Sequence, residues 1–504
     1  MSTPSSEAAP ALRADVEHWT NDAVAELIGE RAVLALDREQ LVPARLAARA
    51  AGDDPIALLT RLFALGDTLS VAQVARALPT LGVQGAAASG LIATAGASDD
   101  DPVRALLDLR PYETETHRWW IASDRGEAVT DARLEGDHVL GVGGASLTLA
   151  SITMRSPVGR VLDLGTGSGV QALHASTHAH SVVGTDVSRR ALEFAAFNAA
   201  LAGVTLDLRQ GSLLDPVAGE TFDLVVSNPP FVITPAGAPS FEYRDGGMAG
   251  DGIVGSLVST LGGVLNPGGV AQLLGNWEIR AEGWEARVSE WLDASPVPLD
   301  AWVVQRDSLD AAQYAEVWLR DAGVIPERGR VSFDEAYEAY LSDFDRRGVR
   351  EVGFGMILLR RPASGGGTSG PTLRRLEFLE GPIATPLGPH LVASLAAHDR
   401  LVALDSAGLG DTALLETRLT VASDVTREVY GRPLLVDPEH ILIRQGGGFG
   451  RAVRADTGLA GFVGACDGEL TVGQILGALS ALGVEHANEL LPAIRELVET
   501  GMLA

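Results

Sequence analysis

Residues 161–169 read Val-Leu-Asp-Leu-Gly-Thr-Gly-Ser-Gly, an apolar run that enters a turn with glycine at every second position. A short apolar run that ends this way is a buried strand feeding a tight turn. A strand buried on both faces belongs to a parallel sheet, and parallel neighbours need long crossovers, usually helices. The chain around it meets that demand. Apolar runs at 160–164, 181–186, 204–209, 222–227, 268–275, 299–305 and 350–360 alternate with helical periodicity. Residues 109–362 are therefore expected to form a doubly wound α/β sheet of seven strands. An insertion at about 307–348, with helical patterns at 309–320 and 332–347, separates the last two strands.

The glycines also bear on ligand binding. Gly165, Gly167 and Gly169 let the backbone turn at the strand's carboxyl end and approach a ligand without a Cβ clash. Asp186 ends the next apolar strand, 21 residues past Gly165. An acid at that distance can hydrogen-bond both hydroxyls of a ribose. This spacing fits a dinucleotide or S-adenosylmethionine (SAM). The single residue between successive glycines departs from the wider dinucleotide spacing, and the strand end carries Asp163, so SAM is favoured.

The strand at 222–227 runs into Asn228-Pro229-Pro230-Phe231. Proline fixes φ and has no N–H, so the loop presents the Asn228 side-chain carbonyl and the Pro229 backbone carbonyl without competing donors. Two such acceptors suit the N–H groups of a planar amine or amide, and Phe231 could stack on it. With the glycine turn and Asp186, this loop resembles the SAM-dependent methyltransferases of the Asn-Pro-Pro-aromatic group, the methyltransferase small domain. The resemblance covers about residues 138–275. It implies a Rossmann-like methyltransferase fold and transfer of a methyl group from SAM to nitrogen, with Asn228, Pro229, Pro230 and Phe231 around the acceptor. It further implies that Asp163 sits near the SAM ammonium, directly or through water, and that Gly165, Thr166, Gly167 and Gly169 cradle the ligand. Asp186 and Val187 would meet the ribose and adenine. Ser212 and Leu213 stand where the group usually has an acid toward the adenine amine, and Asp215 could take over that contact. Ser146 or Thr148 would cover the methionine end, although Gly143 and Gly144 replace the acid often found just before. No metal is implied.

The acceptor is less defined. Phe at 231 leans toward enzymes of rRNA guanine-N2 or adenine-N6, and RNA or tRNA is the first expectation. A protein glutamine, of a release factor or ribosomal protein, or a small metabolite is the alternative. The formal charge of −27 repels phosphate backbones and favours the alternative. Arg346, Arg347, Arg350, Arg360 and Arg361 are the one basic cluster, read first as a solvated helix end and strand edge.

Around this domain, residues 1–10 are expected to be disordered and 11–108 helical. Residues 363–371 form a Gly/Ser linker, 372–465 a strand-rich domain, and 466–504 a helical module. Ser70–Val83 repeats at Thr471–Val484 without a gap, each copy opening on a Ser/Thr that can cap a helix. Both copies resemble winged-helix modules, though neither carries a basic recognition helix. Every chemical motif falls within 138–275, so the flanks are expected to deliver the substrate and 109–362 to bind SAM alone. Cys466, the sole cysteine, excludes a disulfide and reads as a core residue. With no signal-like start and no long apolar window, a cytoplasmic location without a membrane span is expected.

Overall fold

The computed structural model describes residues 3–130, 136–235, 248–327, 329–363, 370–433, 438–484 and 486–504. Its central sheet contains β1 (Val158–Leu164), β2 (Ala179–Asp186), β3 (Asp207–Gln210), β4 (Phe222–Ser227), β5 (Leu265–Ile279), β6 (Asp300–Asp310), β7 (Glu351–Arg360) and β8 (Arg374–Phe378). The order is β8-β6-β7-β5-β4-β1-β2-β3. Strands β3, β2, β1, β4 and β5 are mutually parallel, and β7 runs antiparallel to both β5 and β6. The chain first leaves the sheet centre one way through β1, β2 and β3, and then the other way through β4 and β5. The crevice at that reversal, between β1 and β4, is where ligands of open α/β sheets bind.

The seven strands read from the sequence are present, with ends displaced by a few residues. An eighth, β8, was not expected in this sheet. It was assigned to a strand-rich domain at 372–465, but it pairs in parallel with β6, Val303 opposite Leu376. The rest of that segment is also more helical than expected. Helices Gly388–Ser406, Gly410–Glu416 and Thr457–Gly464 stand among its strands. Leu391, Ser394, Leu395, His398 and Leu401 are buried at spacings of three and four in the first of these helices, a periodicity that its many alanines conceal.

Helices α1 (Gly144–Ile152), α2 (Val170–Ser176), α3 (Arg189–Ala202), α4 (Gly252–Thr260), α5 (Trp284–Asp293), α6 (Ala311–Asp321) and α7 (Arg330–Arg347) surround the sheet. On one face Leu162, Val225, Leu273 and Trp277 pack against Val254 and Leu257 of α4 and Val288 and Trp291 of α5. On the other, Val161, Leu224, Val226 and Leu274 meet Leu149 and Ile152 of α1. The same layer holds Leu391 and Leu395 of the helix Gly388–Ser406, so the region after the linker covers this face. Residues 364–369 of the linker lie outside the described residues.

The N-terminal region is equally continuous with the sheet. Phe194, Phe197 and Leu201 of α3 share one core with Leu12, Trp19, Leu58, Phe63 and Trp120. Residues 3–10, expected to be disordered, are held in place. The Thr3 hydroxyl donates to Glu193 at 2.5 Å, Ser5 N donates to Ser89 O at 3.0 Å, and the first long helix begins at Ala9. Trp119 and Trp120 are buried packing residues, the latter donating its indole N–H to Trp19 O at 2.8 Å.

The two copies of the repeat share local structure. Ser70 and Gln73, and again Thr471 and Gln474, form reciprocal capping boxes at a helix start that follows a short strand. Cys466 is buried, and burial pushes its thiol up to about 12, so it is unreactive. Among the described residues, no helix is long and apolar enough to cross a membrane, and no group of three or more His, Cys, Asp or Glu could hold a metal.

Candidate active site

At the crevice between β1 and β4 lies a cavity of about 430 Å³. Its floor is the glycine turn. Gly165 and Thr166 donate their N–H groups to Thr185 O at 2.9 and 2.8 Å, which binds the turn to the end of β2. Gly167 has a φ of +54°, a conformation that L side chains rarely adopt. Gly169 has a φ of +87°, and a Cβ there would lie 3.2 Å from the Ala195 Cα. The turn therefore closes tightly on α3.

Asp186 organises the far side. Its Oδ2 accepts the Gly167 N–H and its Oδ1 accepts the Ser188 N–H, both at 2.9 Å. A carboxylate oxygen can accept a second donor, so this geometry suits a ribose diol above the turn. Val187 follows with its side chain half exposed at the cavity wall, beside Ser212 and Leu213. Asp215, considered for the adenine contact, opens a short helix and is not in the lining. Ser146 lines the cavity, whereas the Thr148 hydroxyl donates to Gly144 O at 2.9 Å within α1.

Asp163, expected near the ammonium directly or through water, stands at the end of β1 below the glycine turn. It is 1% exposed and lies behind the turn, outside the cavity lining. Its Oδ2 accepts the Thr166 hydroxyl at 2.6 Å and the Ala172 N–H at 2.9 Å. Burial lifts this carboxyl to about 7, with the nearby Asp186 charge a smaller contributor. Its observed contacts are those of an internal brace for the turn and for α2.

Above β4, Asn228, Pro229 and Pro230 line the cavity, while Phe231 does not. The Phe231 ring is partly buried against the core layers on both faces of the sheet. The decisive atom is Asn228 Oδ1. It is buried and has no hydrogen-bond partner among the described residues. A buried carbonyl left unpaired costs about 1–3 kcal/mol, which a donor arriving in the cavity would recover. Tyr243-Arg244-Asp245-Gly246-Gly247, which follows the Asn228–Phe231 loop in the sequence, lies outside the described residues.

Several lining residues carry no motif. His138, Val139, Leu140 and Gly141 form one wall, and Asp124 holds Val139 there. Asp124 N donates to Val139 O at 3.0 Å, Val139 N donates to Asp124 Oδ2 at 2.8 Å, and Arg190 of α3 forks onto the same carboxylate. Asn198, fully buried, donates to Ala122 O at 2.9 Å and Ser168 O at 2.8 Å, and it accepts the Ala122 N–H. An Asn on the buried face of an alanine-rich helix was the one available signal. Gln171, also in the wall, donates to Ser146 O at 2.7 Å and ties α2 to α1.

Residues 142–241 match the family model of the methyltransferase small domain, and residues 17–106 match a domain of unknown function, DUF7059. The chain carries a class I SAM-dependent methyltransferase domain of this group. It is 36% identical over 147 residues to the release factor glutamine methyltransferase of Deinococcus radiodurans, covering 26% of this chain and 52% of that protein. It is 38% identical over 128 residues to the ribosomal protein uL3 glutamine methyltransferase of Bordetella pertussis, covering 23% and 43%. The chain thus spans about half the length of these relatives. Among solved structures it is similar to a Thermus thermophilus 16S rRNA N2 G1207 methyltransferase with AdoMet and guanosine, at 17% identity. That alignment covers 52% of this chain and 67% of the other with a TM-score of 0.27, an overlap that fixes no substrate.

The cavity offers the group types that SAM calls for: carboxylate oxygens at Asp186, an apolar wall at Val187 and Leu213, and a carbonyl at Asn228. Replacing Asp186 by Ala removes the carboxylate expected to meet the ribose and the brace on Gly167. SAM affinity measured by calorimetry should then fall by about 1.5–3 kcal/mol, the usual size of a charged hydrogen bond. Unchanged affinity would place the ribose elsewhere.

Proposed function

We propose that this protein transfers the methyl group of SAM to the side-chain amide nitrogen of a glutamine in a protein substrate. The observation that carries the proposal is the unpaired, buried Asn228 carbonyl at the cavity, which suits an N–H of a primary amide. The similarity to glutamine methyltransferases supports the same acceptor.

SAM supplies an electrophilic methyl on a sulfonium, an excellent leaving group. The chain's task is then alignment and charge stabilisation. An amide lone pair is delocalised into its carbonyl and nucleophilic only when the nitrogen pyramidalises. Asn228 Oδ1 and the Pro229 carbonyl, each accepting one N–H, favour that geometry and stabilise the positive charge that grows on nitrogen. The nitrogen lone pair forms the new N–C bond while the S–C bond breaks toward sulfur. The cationic amide then loses a proton to solvent without a strong base.

Transfer to a nucleic-acid base, the first expectation from the sequence, loses two of its supports. Phe231 packs into the core instead of facing the cavity. The basic cluster is largely consumed internally: Arg346 pairs with Asp343, Arg347 with Glu278 and Asp343, and Arg360 with Asp300 and Asp399. Arg361 donates to Leu265 O. Under this proposal the two capped helical modules at Ser70–Val83 and Thr471–Val484 contact a protein of the translation apparatus.

The test is tritium transfer from labelled SAM into separate RNA and protein fractions of a strain lacking the protein. Label should enter protein and be released by hydrolysis as volatile methylamine, the product expected of an N-methylated side-chain amide. Its rate should change little with salt, because no phosphate contacts release counterions. Label confined to RNA, with a steep salt dependence, would overturn the proposal.

A further inference from the structure

The Asn228–Phe231 loop is anchored from below by a residue that no motif marks. Ile233, two positions past Phe231, donates its N–H to the phenol oxygen of Tyr314 at 2.8 Å. Asn276 Nδ2, from β5, donates to the same oxygen at 3.1 Å. Tyr314 and Asn276 have no exposed surface, and Ile233 is 1% exposed. Tyr314 stands on α6, the first helix of the insertion between β6 and β7. Its ring stacks on Phe354 at 5.9 Å between centroids and meets the edge of Phe344 at 5.6 Å. The insertion's core closes around Ile233 itself, with Tyr314, Leu319, Phe344 and Val352 in one cluster.

We propose that Tyr314 is a positioning residue for methyl transfer, fixing the backbone that leaves the loop and so the direction of the Asn228 and Pro229 carbonyls. This rests on the assignment of those carbonyls to the acceptor amide. The physical case is one of alternatives. A loop that carried its carbonyls away from the acceptor would draw the Ile233 N–H off Tyr314, at a position closed to bulk solvent. A buried amide left unpaired is penalised heavily enough to hold one loop geometry over its neighbours. Two donors converge on the phenol oxygen, so its position is set by the sheet through Asn276 and by the insertion through the ring. The insertion therefore couples the sheet to the acceptor loop, besides covering the sheet edge.

Tyr314→Phe keeps the ring and deletes the acceptor. Phe344→Leu loosens the same core but leaves the hydroxyl. In the full chain, amide hydrogen exchange at Ile233 should accelerate at least tenfold in Tyr314→Phe and no more than about threefold in Phe344→Leu at matched thermal stability. Methyl transfer to the protein acceptor should lose 10- to 100-fold in kcat in Tyr314→Phe, with SAM affinity within twofold. Unchanged exchange at Ile233 in Tyr314→Phe overturns the proposal. So does an equal loss of kcat in both variants. If the wild-type chain methylates no protein, the glutamine assignment falls, and exchange at Ile233 alone decides whether Tyr314 holds the loop.

Discussion

Asn228→Ala is expected to abolish methyl transfer while SAM still binds within a few fold of wild type. The side chain reaches the cavity from the end of β4, and its carbonyl oxygen has no donor among the described residues. Under the proposed reaction its partner is the acceptor nitrogen, whose N–H groups become stronger donors as positive charge develops. An interaction that strengthens in the transition state appears in kcat and leaves cofactor binding alone. Removing one such preorganised group typically costs about 10²–10³ in rate. Asn228→Asp keeps an acceptor at the same reach and should lose less. Single-turnover transfer from labelled SAM, beside calorimetry of SAM binding, gives both quantities. An Ala variant that kept most of its rate would make Asn228–Phe231 a structural turn.

The sheet and the cofactor turn were legible because their signals are local. Glycines that must adopt positive φ, an acid ending the next strand and an Asn-Pro-Pro loop all act within a few residues. What the sequence hid is what depends on distant partners. Asp163 lies in the motif and reads as a ligand contact, and its Oδ2 also braces the turn through Thr166 and Ala172. Phe231 looks like a stacking residue, yet two core layers claim it. Neither outcome can be read from spacing, because each is decided by the direction in which a side chain leaves the backbone. Asn198 and Tyr314 were missed for the complementary reason. Each acts on a segment far away in the chain, 76 residues in the case of Asn198 and Ala122 and 81 for Tyr314 and Ile233. Domain boundaries failed in the same way. A Gly/Ser linker marks where the backbone is polar and unconstrained, but β8 beyond it pairs with β6.

That failure changes what a truncated chain should do. Read from motifs alone, residues 109–362 should bind SAM unaided. Removing residues 1–108 would instead expose one side of α3, where Phe194, Phe197 and Leu201 are each 1% exposed or less. Trp120 and Ala122 of the preceding strand would lose their cover too. Each large apolar side chain returned to water costs about 1.5–3 kcal/mol. Four of them reach roughly 6–12 kcal/mol, which is comparable to the whole stability of an ordinary domain. The loss falls on the cofactor site directly, because α3 carries Arg190 and Asn198, which hold the His138–Gly141 wall and the glycine turn. Removing residues beyond 362 adds the loss of β8 from the sheet edge and of Leu391 and Leu395 from the opposite face. The 109–362 fragment is therefore expected to show no cooperative thermal transition and no measurable SAM binding, while the full chain shows both. A fragment that melted cooperatively and bound SAM within a few fold of the full chain would make the N-terminal region a separable module. Short of that result, residues 1–108 support the cavity indirectly, by packing against α3.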